Sequence, residues 1–145
     1  MEVFKGNFTQ QEPLPQDAID AAVNVLNTGR LHRYNLKEGD AGEVSSLELE
    51  FAKSIGADFC LAVASGGYAL ATALRAIDVK PAQKVLTNAF TLAPVPGAIA
   101  SINAVPLLVE VTENLTIDLD DLEAKASQSE VLLLSHMRGH ICDMD

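Results

Sequence analysis

The stretch Phe59-Cys60-Leu61-Ala62-Val63-Ala64-Ser65-Gly66-Gly67-Tyr68-Ala69-Leu70 decides the fold of this chain. Residues 59–64 form a short apolar run that is typical of a strand buried on both faces. Ser65-Gly66-Gly67 interrupts the run, and residues 68–77 return to the alanine- and leucine-rich composition of a helix. The sequence therefore predicts a strand, a tight glycine turn and a helix in succession.

Strands and helices are predicted to alternate from this turn to the end of the chain. The apolar runs predict further strands at 84–87, 105–109 and 131–135, and the intervening segments predict helices at 91–103 and 119–126. Short apolar strands separated by helices indicate βαβ units and a parallel sheet. We therefore expect one α/β domain over residues 1–145, with three layers (α/β/α) and a mainly parallel sheet.

Two helices are predicted before the glycine turn. The first begins around residues 11–15 and ends at Gly29, and a polar loop then runs to residue 42, so that 1–42 is an N-terminal helix and loop. The second helix has Ser45 or Ser46 as its expected N-cap and ends at Gly56. One face of this helix carries an apolar row, Leu47, Phe51 and Ile55.

Composition excludes several classes of function. The chain has 145 residues and a net charge of −10, which disfavours binding to nucleic acid and to anionic membrane surfaces. No stretch approaches the roughly 18 apolar residues of a membrane span, and no basic and apolar leader opens the sequence. Cys60 and Cys142 are far apart, which disfavours a disulfide scaffold, and Cys60 is expected to be a small buried core residue. We expect a cytoplasmic protein.

The glycine turn is the strongest candidate for a binding site. Two glycines allow close approach of a ligand, and the amides at the start of a helix attract an anion such as phosphate. Ser65 adds a hydroxyl donor. The turn fits neither the GxGxxG pattern of dinucleotide-binding folds nor the GxxxxGK[ST] pattern of P-loop proteins. The alternative is that the glycines serve only a tight strand-to-helix turn.

Three other polar clusters receive an interpretation from sequence. The C-terminal group of possible zinc ligands fits no standard spacing, so no metal site is predicted there: His136, His140, Cys142, Asp143 and Asp145. The acidic residues from 118 to 123 are expected to begin a helix. The cationic loop at 30–34 either contacts an anionic nucleotide-sugar or a partner subunit's cofactor phosphate, or is simply solvated; both alternatives remain open.

Several motifs resemble those of a known family and occur in its order. Residues 47–56 are similar to the family's lE.eFA...G, residues 62–70 to its SGT.AL..AL, and residues 84–91 to its EVIvPafTf. Downstream, Pro106 with residues 109–111 resembles P.fvDv, residues 117–118 resemble niD, and residues 135–145 resemble VHlyG..adMd. Over residues 14–145 the chain thus resembles the DegT/DnrJ/StrS sugar aminotransferases.

This resemblance implies part of the large domain of a fold-type-I enzyme that uses pyridoxal 5′-phosphate (PLP). It implies that Ser65, Gly66 and Gly67 bind the cofactor phosphate, although Gly67 replaces the family's hydroxyl residue. The family places an aromatic side chain over the cofactor ring where this chain has Leu92, so that the ring contacts Leu92 or the neighbouring Phe90. The resemblance also implies that His136 lies at a strand end near the cofactor.

The resemblance also carries an expectation about activity. The six lysines do not stand in the motif of the family's Schiff-base lysine, and we therefore expect an N-terminal part of an enzyme that is inactive alone, with no catalytic residue of its own. The implied partners of the parent enzyme are a nucleotide-linked keto-sugar and an amino-acid donor, and the implied assembly is a homo-oligomer. The alternative is a non-catalytic α/β module that binds a phosphorylated small molecule or serves only in self-association.

Overall fold

The computed structural model describes residue 3 and residues 5–7, 9–34, 36–37 and 39–145. The positions outside this description include part of the amino terminus on which the absence of a leader was argued: Met1, Glu2, Phe4, Phe8, Asn35 and Glu38. The chain divides into two compact units, Met1–Ala62 (unit 1) and Val63–Asp145 (unit 2). That residues 1–145 act as one domain stays a prediction.

Unit 1 contains two helices, α1 (Gln16–Thr28) and α2 (Gly42–Ile55). Both end as predicted, because Gly29 and Gly56 adopt left-handed backbone angles, with φ of 67° and 69°. The start of α1 lies after Pro15, later than the sequence indicated.

The predicted N-cap of α2 is wrong. Asp40 Oδ1 accepts a hydrogen bond from the Gly42 amide at 3.0 Å, and the helix begins there, ahead of Ser45 and Ser46. Ser46 lies inside the helix, where its hydroxyl donates to the Gly42 carbonyl oxygen at 3.0 Å. The N-cap residue is Ala41, so the helix begins upstream of both serines and has no side-chain cap.

The apolar row of α2 is not buried by the described part of the chain. Phe51 is 51% exposed and Ile55 is 60% exposed, and Ala52 is the buried residue of this helix. No described residue of α1 is buried. The helical spacing of the apolar residues was therefore predicted correctly, whereas their burial does not follow from it.

The predicted strand at residues 59–64 does not form. The segment is irregular, and Phe59 is 91% exposed, which contradicts burial on both faces. Cys60 is half-buried rather than a core residue. Apolar composition predicts a strand only where a neighbouring strand supplies hydrogen bonds, and none of the described residues pairs with this segment.

Unit 2 is built on a parallel pair, β1 (Lys84–Asn88) and β2 (Val105–Val109). Lys84 is opposite Val105 and Asn88 is opposite Val109. On its other side β1 meets the segment predicted as a fourth strand, 131–135, through one parallel bridge between Leu86 and Leu132. The bridge is parallel, as predicted for the sheet, but the segment forms this single bridge rather than a strand.

Three helices and a short 3₁₀ turn complete the described elements of unit 2. They are α3 (Gly66–Ala76), α4 (Pro94–Ser101), α5 (Leu119–Ala126) and the 3₁₀ turn Met137–Gly139. The bounds of α5 are those predicted, and α4 has its prolines in the first turn, as proline requires. It ends at Ser101, earlier than predicted. None of the described helices has the length and apolar character needed to cross a bilayer.

Alternating residues of β1 divide the core of unit 2 into two halves. Val85 packs in a cluster with α3 and α4 residues that include Leu74 and Ile99. Leu86, one residue along, packs on the opposite face with Val109 and Ile117, and Leu122 of α5 packs against that cluster. Helices on both faces of a parallel sheet confirm the expected layered α/β fold of a partial fold-type-I domain.

Candidate functional site

The glycine turn directly precedes α3, and Ser65 is the N-cap of that helix. Its backbone is extended (φ −163°, ψ 159°), and its Oγ accepts a hydrogen bond from the Tyr68 amide at 3.2 Å. A serine hydroxyl that accepts one hydrogen bond still has its own proton to donate. The amides of Gly66 and Gly67 occupy the first turn, where no carbonyl inside the helix can accept from them. Three donors therefore stand together at the positive end of the α3 dipole.

Open space lies next to these donors. A Cβ built on Gly66 would meet nothing within 4 Å, whereas one on Gly67 would lie 3.5 Å from Pro94 Cβ. The turn thus packs against the start of α4 on one side and is open on the other. A groove of about 430 Å³ runs between α3 and α4 from this turn. Its lining residues are Ser65, Gly67, Tyr68, Ala71 and Arg75 on one side and Pro94, Gly97, Ala98 and Ser101 on the other.

The residues predicted to contact the cofactor ring follow β1 at its carboxyl end. Phe90 is 37% exposed and Leu92 is 62% exposed. The Leu92 carbonyl oxygen accepts a hydrogen bond from the Val95 amide at 2.9 Å, which joins this loop to the first turn of α4. Because Gly67 and Pro94 line the same groove, the first turn of α4 links this loop to the glycine turn.

Asn88 joins this loop to the segment that carries His136. Its Nδ2 donates to the carbonyl oxygens of Phe90 and Ser135, at 2.8 and 3.1 Å, and its Oδ1 accepts from the Ser135 amide at 3.0 Å. His136 follows Ser135 directly, and its side chain is exposed. The sequence interpretation did not assign Asn88 a role. An asparagine at the carboxyl end of a predicted strand is the signal that could have identified it.

Two buried hydroxyl groups near the same strand end have no hydrogen-bond partner among the described residues. These are Oγ1 of Thr87, on β1, and Oγ1 of Thr91, in the loop that follows. Buried polar atoms in native proteins nearly always have partners, so unpartnered ones mark places where a water or a ligand group is needed. The Thr91 hydroxyl therefore offers a hydrogen-bonding group next to Phe90 and Leu92, the proposed contacts of the cofactor ring.

All residues of unit 2 are described. Its lysines lie away from this end of the sheet or are already hydrogen-bonded. Lys84 begins β1, at the opposite end from Asn88, and its Nζ donates to Gln128 at 3.1 Å. Lys80 is paired with Asp78. Lys125 donates to Asp121 at 2.6 Å and to the Leu108 carbonyl oxygen at 2.9 Å.

The acidic residues around α5 have a structural role, as predicted. Asp118 is the N-cap and accepts hydrogen bonds from the amides of Asp120 and Asp121, at 3.0 and 3.2 Å. The Asp121 carboxylate accepts from Lys125 and from the Glu110 amide, and these bonds lower its pKa below the ordinary value. This part of the acidic run therefore begins and anchors a helix.

The cationic loop of unit 1 is paired with acidic residues. Arg30 forms an ion pair with Asp40, and Arg33 forms one with Glu48. The Glu48 carboxylate also accepts from the Ala62 amide at 2.7 Å, and this bond, together with Arg33, lowers its pKa. A cavity of about 250 Å³ lies beside this loop and the start of α2. Because both guanidinium groups are neutralised, an anion would have to compete with a carboxylate for either of them.

The possible zinc ligands near the C-terminus have other neighbours. His140 Nδ1 lies 3.4 Å from the Asn114 carbonyl oxygen, and Cys142 Sγ lies 3.6 Å from Met144 Sδ. Within the described residues, no three side chains of the His, Cys, Asp or Glu type are gathered for a metal ion.

Comparison with known proteins identifies relatives along nearly the whole chain. Residues 16–145 match the DegT/DnrJ/EryC1/StrS aminotransferase family. The chain is 37% identical over 126 residues to 3-amino-5-hydroxybenzoate synthase of Amycolatopsis mediterranei, which covers 85% of this chain and 31% of that protein. It is 34% identical over 107 residues to dTDP-3-amino-3,6-dideoxy-alpha-D-galactopyranose transaminase of Aneurinibacillus thermoaerophilus, covering 72% of this chain and 29% of that protein.

Solved structures agree with these relatives. The crystal structure of 3-amino-5-hydroxybenzoic acid synthase superimposes with a TM-score of 0.78 and 30% identity, covering 96% of this chain and 35% of that one. An aminotransferase from Psychrobacter cryohalolentis gives a TM-score of 0.81 and 25% identity, covering 96% and 34%. The chain thus spans about a third of the length of the proteins that it matches. On its motifs, its fold and these matches, the chain belongs to the DegT/DnrJ/EryC1/StrS aminotransferase family.

Proposed function

We propose that this chain supplies the phosphate-binding part of the active site of a PLP-dependent sugar aminotransferase. The observation that carries the proposal is the set of three donors at the start of α3: the amides of Gly66 and Gly67 and the hydroxyl of Ser65, next to open space. A phosphate dianion at that position would be bound by backbone and a helix dipole, without a lysine or an arginine. Such a site suits a chain of net charge −10.

The residues of the glycine turn fit the phosphate of PLP well, whereas the residues proposed to contact its ring differ from the family's usual set. Gly67 offers an amide but no hydroxyl, so one hydrogen bond of the family's usual set is missing. Leu92 offers an apolar contact where the family has an aromatic ring, and Phe90 is the aromatic side chain closest to it in sequence. With His136 on the adjoining segment, these residues would line the ring. The unpartnered Thr91 hydroxyl supports a polar ligand in this region.

Bound PLP would supply the electron-withdrawing ring and the aldehyde that amino-group transfer requires. The residues of this chain would bind the phosphate, orient the ring and cover one side of it. An amine on the protein must also hold the cofactor and move a proton during the reaction. In unit 2 the lysines are paired or lie at the amino end of β1. We therefore expect the 145-residue chain to be inactive by itself.

The substrate that we propose for the parent enzyme is a nucleotide-linked keto-sugar, with an amino acid as the amino donor. The similarity to a dTDP-amino-sugar transaminase supports this substrate class. The 3-amino-5-hydroxybenzoate synthase to which this chain is also similar is named for an aromatic acid and not for a sugar. The proposal of a sugar substrate is therefore independent of the proposal that the cofactor is PLP. The expected homo-oligomer and the cytoplasmic location likewise stay predictions.

The phosphate site is tested by titrating the ¹⁵N-labelled chain with PLP and with inorganic phosphate. Both ligands should shift the amide signals of Gly66 and Gly67. Ser65→Ala should raise the Kd for PLP by about ten- to a hundredfold, since a charge-assisted hydrogen bond contributes about 1.5–3 kcal/mol. Ser54→Ala is the matched control, because the Ser54 hydroxyl donates only within α2 of unit 1. Equal effects of the two variants would contradict the proposal.

A second variant separates binding from folding at the same turn. Gly66→Asp adds a carboxylate where a Cβ has free space, in the first helical turn where acidic residues are favourable. We expect the chain to keep its thermal stability and to lose PLP binding through charge repulsion. If Gly66→Asp bound PLP as well as the unaltered chain does, the phosphate would have to bind elsewhere.

The expected lack of activity has its own test. The chain is incubated with PLP, reduced with borohydride and digested, and the peptides are weighed by mass spectrometry. We expect no lysine that carries the cofactor in stoichiometric amount. A single modified lysine would show that the chain contains its own reactive amine.

The alternative, a non-catalytic module for a phosphorylated small molecule, is favoured by one observation, the replacement of the family's ring-stacking aromatic by Leu92. Comparing Kd values distinguishes the two functions. A PLP site should bind PLP at least tenfold more tightly than inorganic phosphate or a sugar phosphate, because the ring adds contacts. Equal affinities would favour the alternative.

A further inference from the structure

Asn88 is the last residue of β1, and only 1% of it is exposed. Its carboxamide makes three hydrogen bonds, two with Ser135 and one with the Phe90 carbonyl oxygen. Turning the amide over would place its oxygen against two carbonyl oxygens. A single orientation therefore satisfies all three bonds.

The side chain of Asn88 continues the sheet where the backbone pairing stops. Two residues earlier, the Leu86 amide donates to the Val131 carbonyl oxygen at 2.9 Å, and the Leu133 amide donates to the Leu86 carbonyl oxygen at 2.8 Å. Asn88 also exchanges two hydrogen bonds with this segment, both with Ser135, because a carboxamide has a donor and an acceptor, as a peptide group does. The segment thus stays attached to β1 two residues beyond its single bridge.

Ser135 is also the first residue of the turn that carries His136. The Met137 amide donates to the Ser135 carbonyl oxygen at 3.1 Å, and His136 has φ −84° and ψ 82°. These values are close to those of an inverse γ-turn. The same Ser135 oxygen accepts from Asn88. Asn88 therefore holds the peptide from which this turn starts.

We propose that Asn88 is a positioning residue, which holds the His136 turn and the Phe90 loop in one arrangement for the ring of the cofactor. This inference rests on the proposed function, in which Phe90 and His136 line that ring. Asn88 is bonded to both segments, whereas it does not belong to the phosphate-binding turn. The family pattern EVIvPafTf has proline at this position, and proline has no side-chain amide, so this connection is a feature of the present chain.

Two variants and a matched control test the inference. Asn88→Leu keeps the volume of the side chain and Asn88→Ser keeps a polar group, and both remove the connection to Ser135. Thr87→Val is the control, because Thr87 is the neighbouring fully buried residue and its hydroxyl has no partner among the described residues. In both Asn88 variants we expect the Ser135 amide to exchange with solvent at least tenfold faster, and in Thr87→Val at an unchanged rate.

Ligand titrations distinguish positioning from general destabilisation. In the unaltered chain, PLP should shift both the His136 ring signals and the Gly66 and Gly67 amides, whereas inorganic phosphate should shift the two amides alone. In the Asn88 variants the His136 response to PLP should be lost and the Kd for PLP should rise about tenfold. The Kd for inorganic phosphate should stay within twofold, because the glycine turn is untouched.

An unchanged Ser135 exchange rate, or an equal loss of affinity for both ligands, would overturn the inference. A different result would overturn the proposed function instead, namely that neither ligand shifts the Gly66 and Gly67 amides of the unaltered chain. In that case the Ser135 exchange rates still decide whether Asn88 holds the His136 turn.

Discussion

Units 1 and 2 differ in how they use their apolar residues. In unit 2, alternating residues of β1 enter two clusters, and Val85, Ile99 and Val109 are fully buried. In the described part of unit 1, Ala52 is the buried apolar residue, and the leucine, isoleucine and phenylalanine side chains of both helices are exposed. Apolar residues at helical spacing are present in both units. The difference teaches that periodicity specifies which residues share a face, whereas burial needs a second surface to cover that face.

The largest expected effect comes from a matched pair of isoleucines. Ile99→Ala in the core of unit 2 should lower the free energy of unfolding by about 2–5 kcal/mol, because it leaves a cavity. Ile55→Ala in α2, where the side chain is 60% exposed, should change it by less than about 0.5 kcal/mol. Urea denaturation of both variants measures these two changes in the free energy of unfolding. A comparable cost for Ile55→Ala would mean that its face is covered in solution.

The next largest effect concerns self-association. If the exposed row of α2 pairs with a second copy, as the predicted homo-oligomer suggests, Leu47→Gln with Phe51→Gln should raise the dissociation constant at least tenfold, which is about 1.4 kcal/mol. Sedimentation equilibrium measures this, with Ile77→Gln, also on an exposed side chain, as the control in unit 2. An equal effect of Ile77→Gln would place the association elsewhere.

The cap of α5 should have a smaller effect, within unit 2. Asp118→Ala removes the acceptor of two amide hydrogen bonds and should cost about 1 kcal/mol. Asp118→Asn keeps a side-chain acceptor, so most of that stability should remain. Thermal unfolding of the two variants tests the prediction, which fails if alanine and asparagine cost the same.

The smallest expected effect is a dependence of stability on pH, to which one carboxylate in each unit contributes. The pKa of Glu48 lies below its ordinary 4.5 because it accepts from the Ala62 amide and pairs with Arg33, and the pKa of Asp121 lies below its ordinary 3.8 because of Lys125 and the Glu110 amide. A carboxyl group whose pKa is lower in the folded chain stabilises that chain above its ordinary pKa. This contribution is lost as the pH falls through the lowered pKa.

The amide signals of Ala62 and Glu110 report each carboxylate in an NMR titration. Both should move only below the ordinary pKa of their acceptor, and Glu48→Gln should abolish the change at Ala62 while leaving that at Glu110. A transition at Ala62 above pH 4.5 would show that Glu48 is not stabilised in its charged form.

Elements with strong local signals were predicted closely. The bounds of β2 and α5 agree with the sequence interpretation, since an apolar run specifies the strand and the Asp118 cap specifies the start of the helix. The segments 59–64 and 131–134 are both entirely apolar, yet the first is irregular and the second forms one bridge. A strand depends on hydrogen bonds from a partner that lies elsewhere in the chain, so composition alone cannot predict it.

The candidate site likewise has one part that local sequence predicts and one part that depends on distant residues. Ser65, Gly66 and Gly67 were identified from sequence, because a glycine turn before a helix is a local pattern whose donors follow from helix geometry. Asn88 was missed, because its partner Ser135 lies 47 residues away. No local pattern records which backbone group a side chain will meet at that separation.

The sequence by itself determined the α/β class, the family, the ends of the helices at Gly29 and Gly56, and the donors of the glycine turn. Each of these depends on the conformational preferences of a few consecutive residues or on the order of short motifs. Only the tertiary structure decided which apolar faces are buried, which predicted strands find a partner, and how Asn88 connects Phe90 to Ser135. Those outcomes depend on contacts between distant residues, which form only when the layers pack.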